Sequence, residues 1–373
     1  MKKVLEVIRQ GQIGGGESHL LDLIYYLDNT RYQPICLSFT GGEMINRLEA
    51  KGIKCYVIES QSPFDLNVQK RVKALMKEEK IDIVHAHGSR AASNVLFPAK
   101  SLHIPFIYTV HGWSFHDDQN VIIKILRGWS EKLICHYSDT VICVSKSNAE
   151  TGRQVFGLKS VTVIENGINL DVFDRNRTFE DRRAGFHFSE DDFVVGFIAR
   201  TTKQKNPLLF LDALRQAHEK NPVVKGLFVG EGDMDAEVDA FIQANNMKDY
   251  LYRSPFRTDV PELLNSIDVY CLPSLWEGLS IALLEAMAMG KAIIATPTDG
   301  TKELLTNREN GLIVDFNNQQ QLVDAILELH DNKALFEKCS DNATLLVKQR
   351  FNAQRVADSV MEIYDTKPSI VSY

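Results

Sequence analysis

The chain repeats one order of segments: a short apolar strand, a loop rich in polar residues or glycine, and an amphipathic helix. This order starts at residues 4–8 and recurs as far as residues 269–272. Strands joined through helices of this length run parallel, because an antiparallel pair needs only a tight turn. The pattern therefore predicts an α/β fold with doubly wound, Rossmann-like sheets, whose ligand loops lie at the carboxyl ends of the strands.

A polar run at residues 175–190 divides the pattern into two series. It follows the turn signal Asn166-Gly167, and a new buried strand starts at Phe193. With 373 residues, of which 44% are hydrophobic, the chain is long enough for two hydrophobic cores. We predict an amino-terminal domain, a carboxyl-terminal domain and a final helical segment. Their predicted bounds are 1–170, 171–352 and 353–373.

Two carboxylates lie on either side of a helix start predicted in the second series. Glu277 stands in a loop beside Gly278, and Glu285 lies in the helix, roughly 12 Å further on at about 1.5 Å per residue. The first backbone N–H groups of a helix bind anions, so Leu279 and Ser280 are candidates for a diphosphate site. Carboxylates accept hydrogen bonds from vicinal hydroxyls, so one Glu can hold a sugar and the other a ribose. The alternative is that both are solvated charges.

A pair of cations follows the first strand of the second series. Arg200 can bind a diphosphate in bidentate fashion and Lys205 as a point charge, unless both are surface charges. Gly230 follows the next strand, where we expect the backbone to approach a nucleoside closely. Asp233-Met-Asp235 matches a short metal-binding pattern, but it begins a helix, and we interpret these residues as helix caps.

The first strand of the chain leads into a glycine loop that contains Gly15 and Gly16. Its spacing is not G-x-G-x-x-G and no Walker lysine follows, so the loop does not predict a dinucleotide or triphosphate site. A later strand ends at His111, whose imidazole can donate a hydrogen bond to a sugar hydroxyl or phosphate oxygen, or can be a packed core residue. His85 and His87 lack a third ligand nearby, and we interpret both as loop and packing residues without a metal.

Aromatic and basic residues are concentrated after His111. Trp113 and Phe115 come first, and an amphipathic helix is predicted over residues 121–133. The helix contains Lys124, Arg127, Trp129 and Lys132. We predict that Trp113, Phe115 and this helix face an apolar acceptor or a bilayer surface; the alternative is that the helix packs on its own sheet.

Charge and cysteine usage narrow the class of protein. Residues 1–165 hold 20 Lys and Arg against 17 Asp and Glu, and residues 166–373 hold 22 against 32. The amino half can therefore approach an anionic membrane, but it lacks the dense basic face typical of nucleic-acid binding. The six Cys are scattered without a C-x-x-C pair, and the start of the chain, interrupted by Glu6, is too short for a signal peptide. We expect a cytoplasmic protein, with peripheral contact to the inner face of the membrane.

The run from Glu277 to Glu285, with Gly278 after the first Glu and Ala286 after the second, resembles the signature of family 4 retaining glycosyltransferases of the GT-B fold. The resemblance covers nearly the whole chain. Further segments that resemble the family are Gly14-Gly-Gly-Glu17, His111-Gly112, Arg200-x(4)-Lys205, Asn166-Gly167 and residues 251–257.

The resemblance implies two domains that face a cleft and transfer a sugar from a nucleotide donor without a metal. It places Gly15 and Gly16 beside the donor diphosphate, His111 beside the reacting sugar and Phe256 near the base, and it implies that the last helix returns to the amino-terminal domain. Ser18 stands where the family often has Arg, so the contacts of that Arg are not expected here.

No further carboxylate in a matched motif is placed to act as a covalent nucleophile, so we expect front-face transfer with Arg200 and Lys205 stabilising the departing diphosphate. The expected reaction moves a hexose or N-acetylhexosamine from a UDP-sugar to a glycan or lipid-linked acceptor in surface polysaccharide synthesis. The alternatives are a nucleotide-sugar epimerase, a phosphorylase, or a non-catalytic donor-binding subunit. Product formed without an acceptor, or with orthophosphate, distinguishes these enzymes.

Overall fold

The computed structural model describes residues 1–115, 120–180 and 182–366. The chain separates into two compact units. Unit 1 comprises Met1–Gly167 together with the chain from Ala353 onward, and unit 2 comprises Ile168–Asn352. The change from unit 1 to unit 2 falls between Gly167 and Ile168, three residues before the predicted bound at residue 170.

Strands and helices alternate throughout unit 1. Its elements up to residue 167 are β1 (Lys2–Ile8), α1 (Gly15–Tyr26), β2 (Tyr32–Ser38), α2 (Glu43–Ala50), β3 (Lys54–Val57), α3 (Leu66–Glu79), β4 (Ile83–His87), α4 (Ser89–Ser101), β5 (Phe106–Val110), α5 (Val121–Tyr137), β6 (Thr140–Cys143), α6 (Lys146–Phe156) and β7 (Thr162–Val163). The strands lie in the order β3-β2-β1-β4-β5-β6-β7, and all neighbours pair in parallel. The predicted doubly wound parallel sheet is confirmed.

Unit 2 has the same kind of sheet. Its elements are β8 (Phe193–Ile198), α7 (Pro207–Lys220), β9 (Val224–Val229), α8 (Asp235–Ala244), β10 (Leu251–Ser254), α9 (Val260–Asn265), β11 (Val269–Leu272), α10 (Ile281–Ala288), β12 (Ala292–Ala295), α11 (Asp299–Leu304), β13 (Leu312–Ile313), α12 (Gln319–Asp331) and α13 (Lys333–Arg350). The strands lie in the order β10-β9-β8-β11-β12-β13, again in parallel.

Helix α14 (Ala353–Asp365) completes unit 1. Its apolar side chains, such as Val360 and Tyr364, pack with Val4 of β1, with Leu23 of α1 and with Leu27, the residue that ends α1. Successive residues of a strand face opposite sides of the sheet. The even-numbered residues of β1 therefore face α1 and α14, whereas its odd-numbered apolar residues belong to the core on the other side.

Each sheet has one place where the strand order reverses. In unit 1 it lies between β1 and β4, and in unit 2 it lies between β8 and β11. At such a switch point the two following loops leave toward opposite faces and open a crevice at the carboxyl ends of the strands. The strand order thus selects two loop pairs as ligand sites.

Candidate functional site

The switch point of unit 2 brings together two loops that are distant in sequence. β8 pairs with β11, with Val195 opposite Val269, so the loops that follow these strands start side by side. The backbone N–H of Leu275 donates to the carbonyl of Gln204 at 2.8 Å, and Gln204 Nε2 donates to the carbonyl of Trp276 at 2.9 Å. The first loop is therefore fixed against the second.

Lys205 and Glu277 form an ion pair across these loops. Lys205 Nζ donates to Glu277 Oε1, and Ser274 Oγ donates to the same oxygen at 2.9 Å. The two charged side chains are only 12% and 10% exposed. A pair so shielded from water is stronger than a surface pair, and its two hydrogen bonds orient the carboxylate. Within the described ranges Glu277 Oε2 receives no hydrogen bond, so this oxygen can accept one from a ligand.

Arg200 lies on the same loop as Lys205 but differs in its surroundings. It is exposed at the end of β8, and among the described residues it forms no ion pair. Its guanidinium is therefore available to an anion. The structure places Arg200, Lys205 and Glu277 on one pair of adjacent loops, after β8 and β11.

Helix α10 begins beside this pair. Ser280 is its N-cap, and the Ser280 hydroxyl accepts from the backbone N–H of Leu283 at 3.4 Å. The side chains of Leu279 and Ser280 are buried, so only their backbone can face a ligand. Gly300, at the start of α11, packs directly on this turn. A Cβ at position 300 would lie only 1.8 Å from the carbonyl oxygen of Gly278.

The remaining donor-site candidates of unit 2 surround these loops. Gly230 lies between β9 and α8, where a Cβ would stand 1.8 Å from the carbonyl oxygen of Ala199. Phe256 is half-buried in the loop after β10. Glu285 is half-buried on α10. The pKa of the Tyr270 hydroxyl is raised well above its usual value, mainly by burial and then by the nearby charges of Glu285 and Glu277.

One aspartate of the short metal pattern, Asp235, has structural partners. Asp235 accepts from the backbone N–H of Gly232 at 2.9 Å and from Arg253 Nη2 at 2.8 Å. It stands at the first position of α8. The predicted capping role is therefore wrong: the N-cap of α8 is Met234, and no side chain caps the helix. Asp235 instead fixes the loop before α8 through Gly232 and Arg253.

In unit 1 the glycine loop meets His111. Gly15 and Gly16 form the first turn of α1, which follows Gly14 without a side-chain cap. A Cβ on Gly16 would lie 3.7 Å from Cδ2 of the His111 ring, so the helix start and the imidazole are neighbours. The two were predicted separately, from the ends of β1 and β5, and the sheet places them together.

His111 is connected to a buried polar network that the sequence analysis missed. His85 and His87 were interpreted as loop and packing residues, but the structure places both within β4, fully buried and hydrogen-bonded. The correction follows from the register: β4 lies next to β1, so both histidines face the same side of the sheet as Glu6. Glu6, a charged residue between the apolar Leu5 and Val7 of β1, was the signal available in the sequence.

The network is tightly connected. His87 Nε2 lies 3.0 Å from Glu6 Oε2, and His87 Nδ1 lies 3.1 Å from His111 Nε2. Tyr364 donates to Glu6 Oε1 at 2.6 Å, and His85 Nδ1 lies 2.6 Å from the Tyr364 hydroxyl. His85 Nε2 lies 2.7 Å from the hydroxyl of Thr109 on β5.

Burial and charge set the protonation of the network. Burial lowers the pKa of His87 to about 4 and that of His19, which stacks edge-on against His111, to about 3. Burial also lowers the pKa of His111 well below its usual value. The pKa of Glu6 is lowered in spite of its burial, because His85 and His87 stabilise the carboxylate. At neutral pH Glu6 is therefore ionised, and His19, His87 and His111 are uncharged.

One ligand atom from each of His19, His87 and His111 lies within 4.8 Å of the others, and the same holds for Glu6, His85 and His87. Such spacing occurs in metal sites. Here, however, the nitrogens of His87 and His111 that face each other are already hydrogen-bonded. Hydrogen bonding alone accounts for the spacing between these two rings.

The aromatic candidates for acceptor binding have core contacts. Trp113 is 7% exposed, and its indole N–H donates to the carbonyl of Asn148 at 3.0 Å. Phe115 is half-buried and packs with Trp113 and Phe156. These contacts leave little of the Trp113 ring for a ligand, so the exposed apolar surface of this region lies elsewhere, on α5.

Helix α5 has two opposite faces. Glu131, Ile134 and Cys135 are buried, and Glu131 accepts from Tyr108 at 2.7 Å. The other face is apolar and exposed. The exposed fractions are 69% for Val121, 68% for Ile122, 54% for Ile125, 64% for Leu126 and 70% for Trp129. These positions form one stripe at helical spacing. In the part of the chain that the structure describes, no helix is both long and apolar enough to cross a membrane.

Two family models together match almost the whole chain. The model described as "Glycosyltransferase Family 4" matches residues 13–172, and the one described as "Glycosyl transferases group 1" matches residues 178–346. Together with the two parallel sheets, these matches confirm the resemblance that the sequence motifs indicated. The chain belongs to the family 4 glycosyltransferases of the GT-B fold, and it is a transferase.

Individual relatives agree with this class. The UDP-Gal:alpha-D-GlcNAc-diphosphoundecaprenol alpha-1,3-galactosyltransferase of Escherichia coli is 29% identical over 306 residues, which are 78% of this chain and 76% of the relative. The phosphatidyl-myo-inositol mannosyltransferase of Mycobacterium leprae is 27% identical over 308 residues, 81% of this chain and 78% of the relative. Among solved structures, Anabaena Alr3699/HepE in complex with UDP and glucose has a TM-score of 0.86 at 22% identity, covering 98% of this chain and 100% of that chain, a likeness that shows the fold.

Proposed function

We propose that this glycosyltransferase moves a hexose or N-acetylhexosamine from a UDP-sugar to a lipid-linked or glycan acceptor, with retention of configuration and without a metal ion. The observation that carries the proposal is the pair Lys205–Glu277 on the same loops as the unpaired guanidinium of Arg200. The switch point of unit 2 thus holds two cations that can bind a diphosphate and an oriented carboxylate that can bind sugar hydroxyls.

The proposed chemistry is front-face transfer. The bond between the sugar C1 and the diphosphate oxygen breaks, the acceptor hydroxyl adds to C1 on the same face, and its proton passes to the departing UDP. Arg200, Lys205 and the start of α10 stabilise the negative charge that develops on UDP. Because the Glu277 carboxylate is held by Lys205 and Ser274, its role is to position the sugar rather than to attack it.

The other assignments remain predictions of the family resemblance. Glu285 is proposed to hold the ribose and Phe256 to lie near the base, with Gly230 beside the nucleoside. In unit 1, His111 is proposed to contact the reacting sugar, beside the glycine turn of α1.

A lipid-linked acceptor is supported by two independent lines. The names of both relatives specify a lipid acceptor, a diphosphoundecaprenol in one and a phosphatidylinositol in the other. The apolar stripe of α5 is suited to a membrane surface. We therefore propose that the enzyme works on surface polysaccharide at the inner face of the membrane, held there through unit 1.

Three arginines of unit 1, one of them on α5, favour an anionic membrane. Burial lowers the pKa of Arg90, and the charges of Arg9 and Arg127 lower it further, so these guanidinium groups are close enough to repel one another. Anionic lipid headgroups would relieve that repulsion. The apolar stripe and this cluster together fit an anionic bilayer better than a neutral one.

A donor screen tests the proposal. Purified protein is incubated with individual UDP-hexoses and UDP-N-acetylhexosamines, a lipid-diphosphate sugar acceptor and EDTA, and UDP release is followed. We expect release that depends on the acceptor, and a product whose new linkage keeps the anomeric configuration of the donor. Arg200→Ala and Lys205→Ala should each abolish transfer without unfolding the protein. Lys203→Ala, in the same loop, removes an exposed cation with no proposed role and serves as the control.

The alternatives have distinct outcomes. Epimerised sugar without acceptor, or transfer only with orthophosphate, would replace the proposed reaction. Near-normal transfer by the Arg200→Ala and Lys205→Ala variants would reject the site, and an inverted product would reject retention.

A further inference from the structure

A line of hydrogen bonds leads from a buried carboxylate to the ring of His111. It starts at Glu6 on β1, passes through His87 on β4 and ends at Nε2 of His111, all within unit 1. Glu6 is fully buried and His87 is 2% exposed. A buried line of this kind has few ways to arrange its protons, because each hydrogen bond requires one donor and one acceptor.

The Glu6 carboxylate determines which atom donates in each hydrogen bond of this line. An ionised Glu6 can only accept, so the Nε2 of His87 at 3.0 Å must carry a proton. An uncharged His87 then has a lone pair on Nδ1. The neighbouring Nε2 of His111, at 3.1 Å, must therefore donate to it. An uncharged His111 that carries its proton on Nε2 has its own lone pair on Nδ1.

The other side of Glu6 agrees with this arrangement. The Tyr364 hydroxyl donates its single proton to Glu6 Oε1 at 2.6 Å, so it must accept from Nδ1 of His85 at 2.6 Å. His85 Nδ1 also lies 3.3 Å from Glu6 Oε2. The Tyr364 hydroxyl and Nδ1 of His85 thus both direct a proton toward the Glu6 carboxylate. Neither requires His87 to give up the proton on its Nε2.

Within the described ranges, the His111 ring makes one hydrogen bond, and its partner is His87. The ring lies against the first turn of α1, beside Gly16. The positive end of that helix disfavours a second proton on the imidazole. The lone pair on Nδ1 is therefore left for a ligand that donates.

We propose that Glu6 and His87 are positioning residues that hold His111 in its Nε2–H form, so that Nδ1 accepts a hydrogen bond from a sugar hydroxyl. This inference rests on the proposed function, which assigns His111 to the reacting sugar. A phosphate oxygen cannot donate to Nδ1, so His111 selects a hydroxyl rather than the donor diphosphate. His111 thus orients the sugar, while Arg200 and Lys205 bind the diphosphate.

The first test reads the tautomers directly. Protein labelled with ¹⁵N at histidine is examined by long-range ¹H–¹⁵N correlation at neutral pH, with the rings assigned from His87 and His111 variants. We expect the proton on Nε2 of both rings. A proton on Nδ1 of His111 would overturn the proposal. Absence of a proton from both nitrogens that face each other would also overturn it, because that pattern indicates a metal ion between the rings.

The second test compares two variants at position 87. His87→Asn keeps an oxygen that can accept from His111 Nε2, whereas His87→Phe keeps the ring volume but has no acceptor. Both remove the Nε2–H of His87 that donates to Glu6 Oε2, whereas Tyr364 still donates to Oε1. We expect His87→Phe to lower kcat about 100-fold with little change in donor KM, and His87→Asn to recover much of that loss.

A role in packing alone would give the opposite order, since Phe fills the site better than Asn, and that order would overturn the proposal. Failure of the proposed function has a separate signature. Transfer that survives His111→Ala would reject the role of His111 in the reaction, whereas the spectrum tests its tautomer without any transfer assay.

Discussion

Position 230 shows how a single residue shapes the donor loops. Gly230 has a φ of +148°, and a Cβ there would lie 1.8 Å from the carbonyl oxygen of Ala199. The loops after β8 and β9 therefore touch through their backbones, which a side chain would prevent. Because the β8 loop carries Arg200, the close contact also fixes where that cation stands.

Gly230→Ala should accordingly separate the two loops. We expect a loss of about 1–3 kcal/mol in the free energy of unfolding, from strain at positive φ and from overpacking, together with weaker UDP binding. Urea unfolding and UDP titration measure the two effects. Gly185→Ala is the matched control, since a Cβ there meets nothing within 4 Å. Equal stability of the two variants would contradict the prediction.

At the scale of elements, α5 carries two functions on one helix. Its buried face fixes the segment after β5, because Glu131 accepts from the backbone N–H of Ser114 at 3.1 Å as well as from Tyr108. Its opposite face exposes large apolar side chains to solvent. Exposed apolar patches of this kind mark interaction surfaces.

We predict that this face binds anionic vesicles. The double variant Ile122→Glu, Leu126→Glu should weaken binding to phosphatidylglycerol vesicles more than tenfold, because burying each apolar side chain contributes about 1.5–3 kcal/mol. Co-sedimentation measures binding, and a blue shift of Trp129 fluorescence reports its burial. Leu345→Glu, on α13 and 55% exposed, is the control for an apolar-to-acidic change. Unchanged binding by the α5 variant would exclude this surface.

At the scale of the whole molecule, the two units place different chemistry at their switch points. That of unit 2 collects cations and a carboxylate from the loops after β8 and β11. In unit 1 the corresponding position holds Glu6 and a set of uncharged histidines buried among apolar residues. This burial gives the chain a characteristic dependence on pH.

Acidification should destabilise unit 1. The pKa of His19 is about 3 and that of His87 about 4, both below the value of 6.5 for a free histidine. The unfolded chain therefore binds more protons than the folded one below pH 6.5, so stability is full above that pH and is lost as pH falls toward 4. Each such histidine lowers the free energy of unfolding by up to about 1.4 kcal/mol for each pH unit of acidification.

The measurement is the thermal midpoint between pH 5 and 7.5. His19→Gln cannot take up a proton, so its midpoint should fall less steeply on acidification than that of the native chain. The difference between the two thermal midpoints at pH 7.5 measures the packing lost in His19→Gln. The change of that difference with pH measures the titration of His19. Parallel curves would refute the prediction.

The order of elements was predictable because it depends on local pattern. Apolar strands alternating with helices indicate parallel sheets, and residues that follow neighbouring parallel strands meet at one edge. The strand order, which places β11 beside β8, brings Glu277 next to Arg200 and Lys205; before the structure was known, only the family resemblance linked these three residues. The family resemblance added their proposed roles.

The sequence by itself determined the class of fold, the loops that bear charge and the amphipathic character of α5, since these follow from residue type and short-range spacing. Tertiary structure alone decided that β4 lies beside β1, and it confirmed that the last helix, α14, packs on unit 1 as the family resemblance implied. Those placements bring Tyr364, His85 and His87 to Glu6 from distant parts of the chain. Hydrogen bonds between such residues depend on strand order and register, which the burial of the whole core selects.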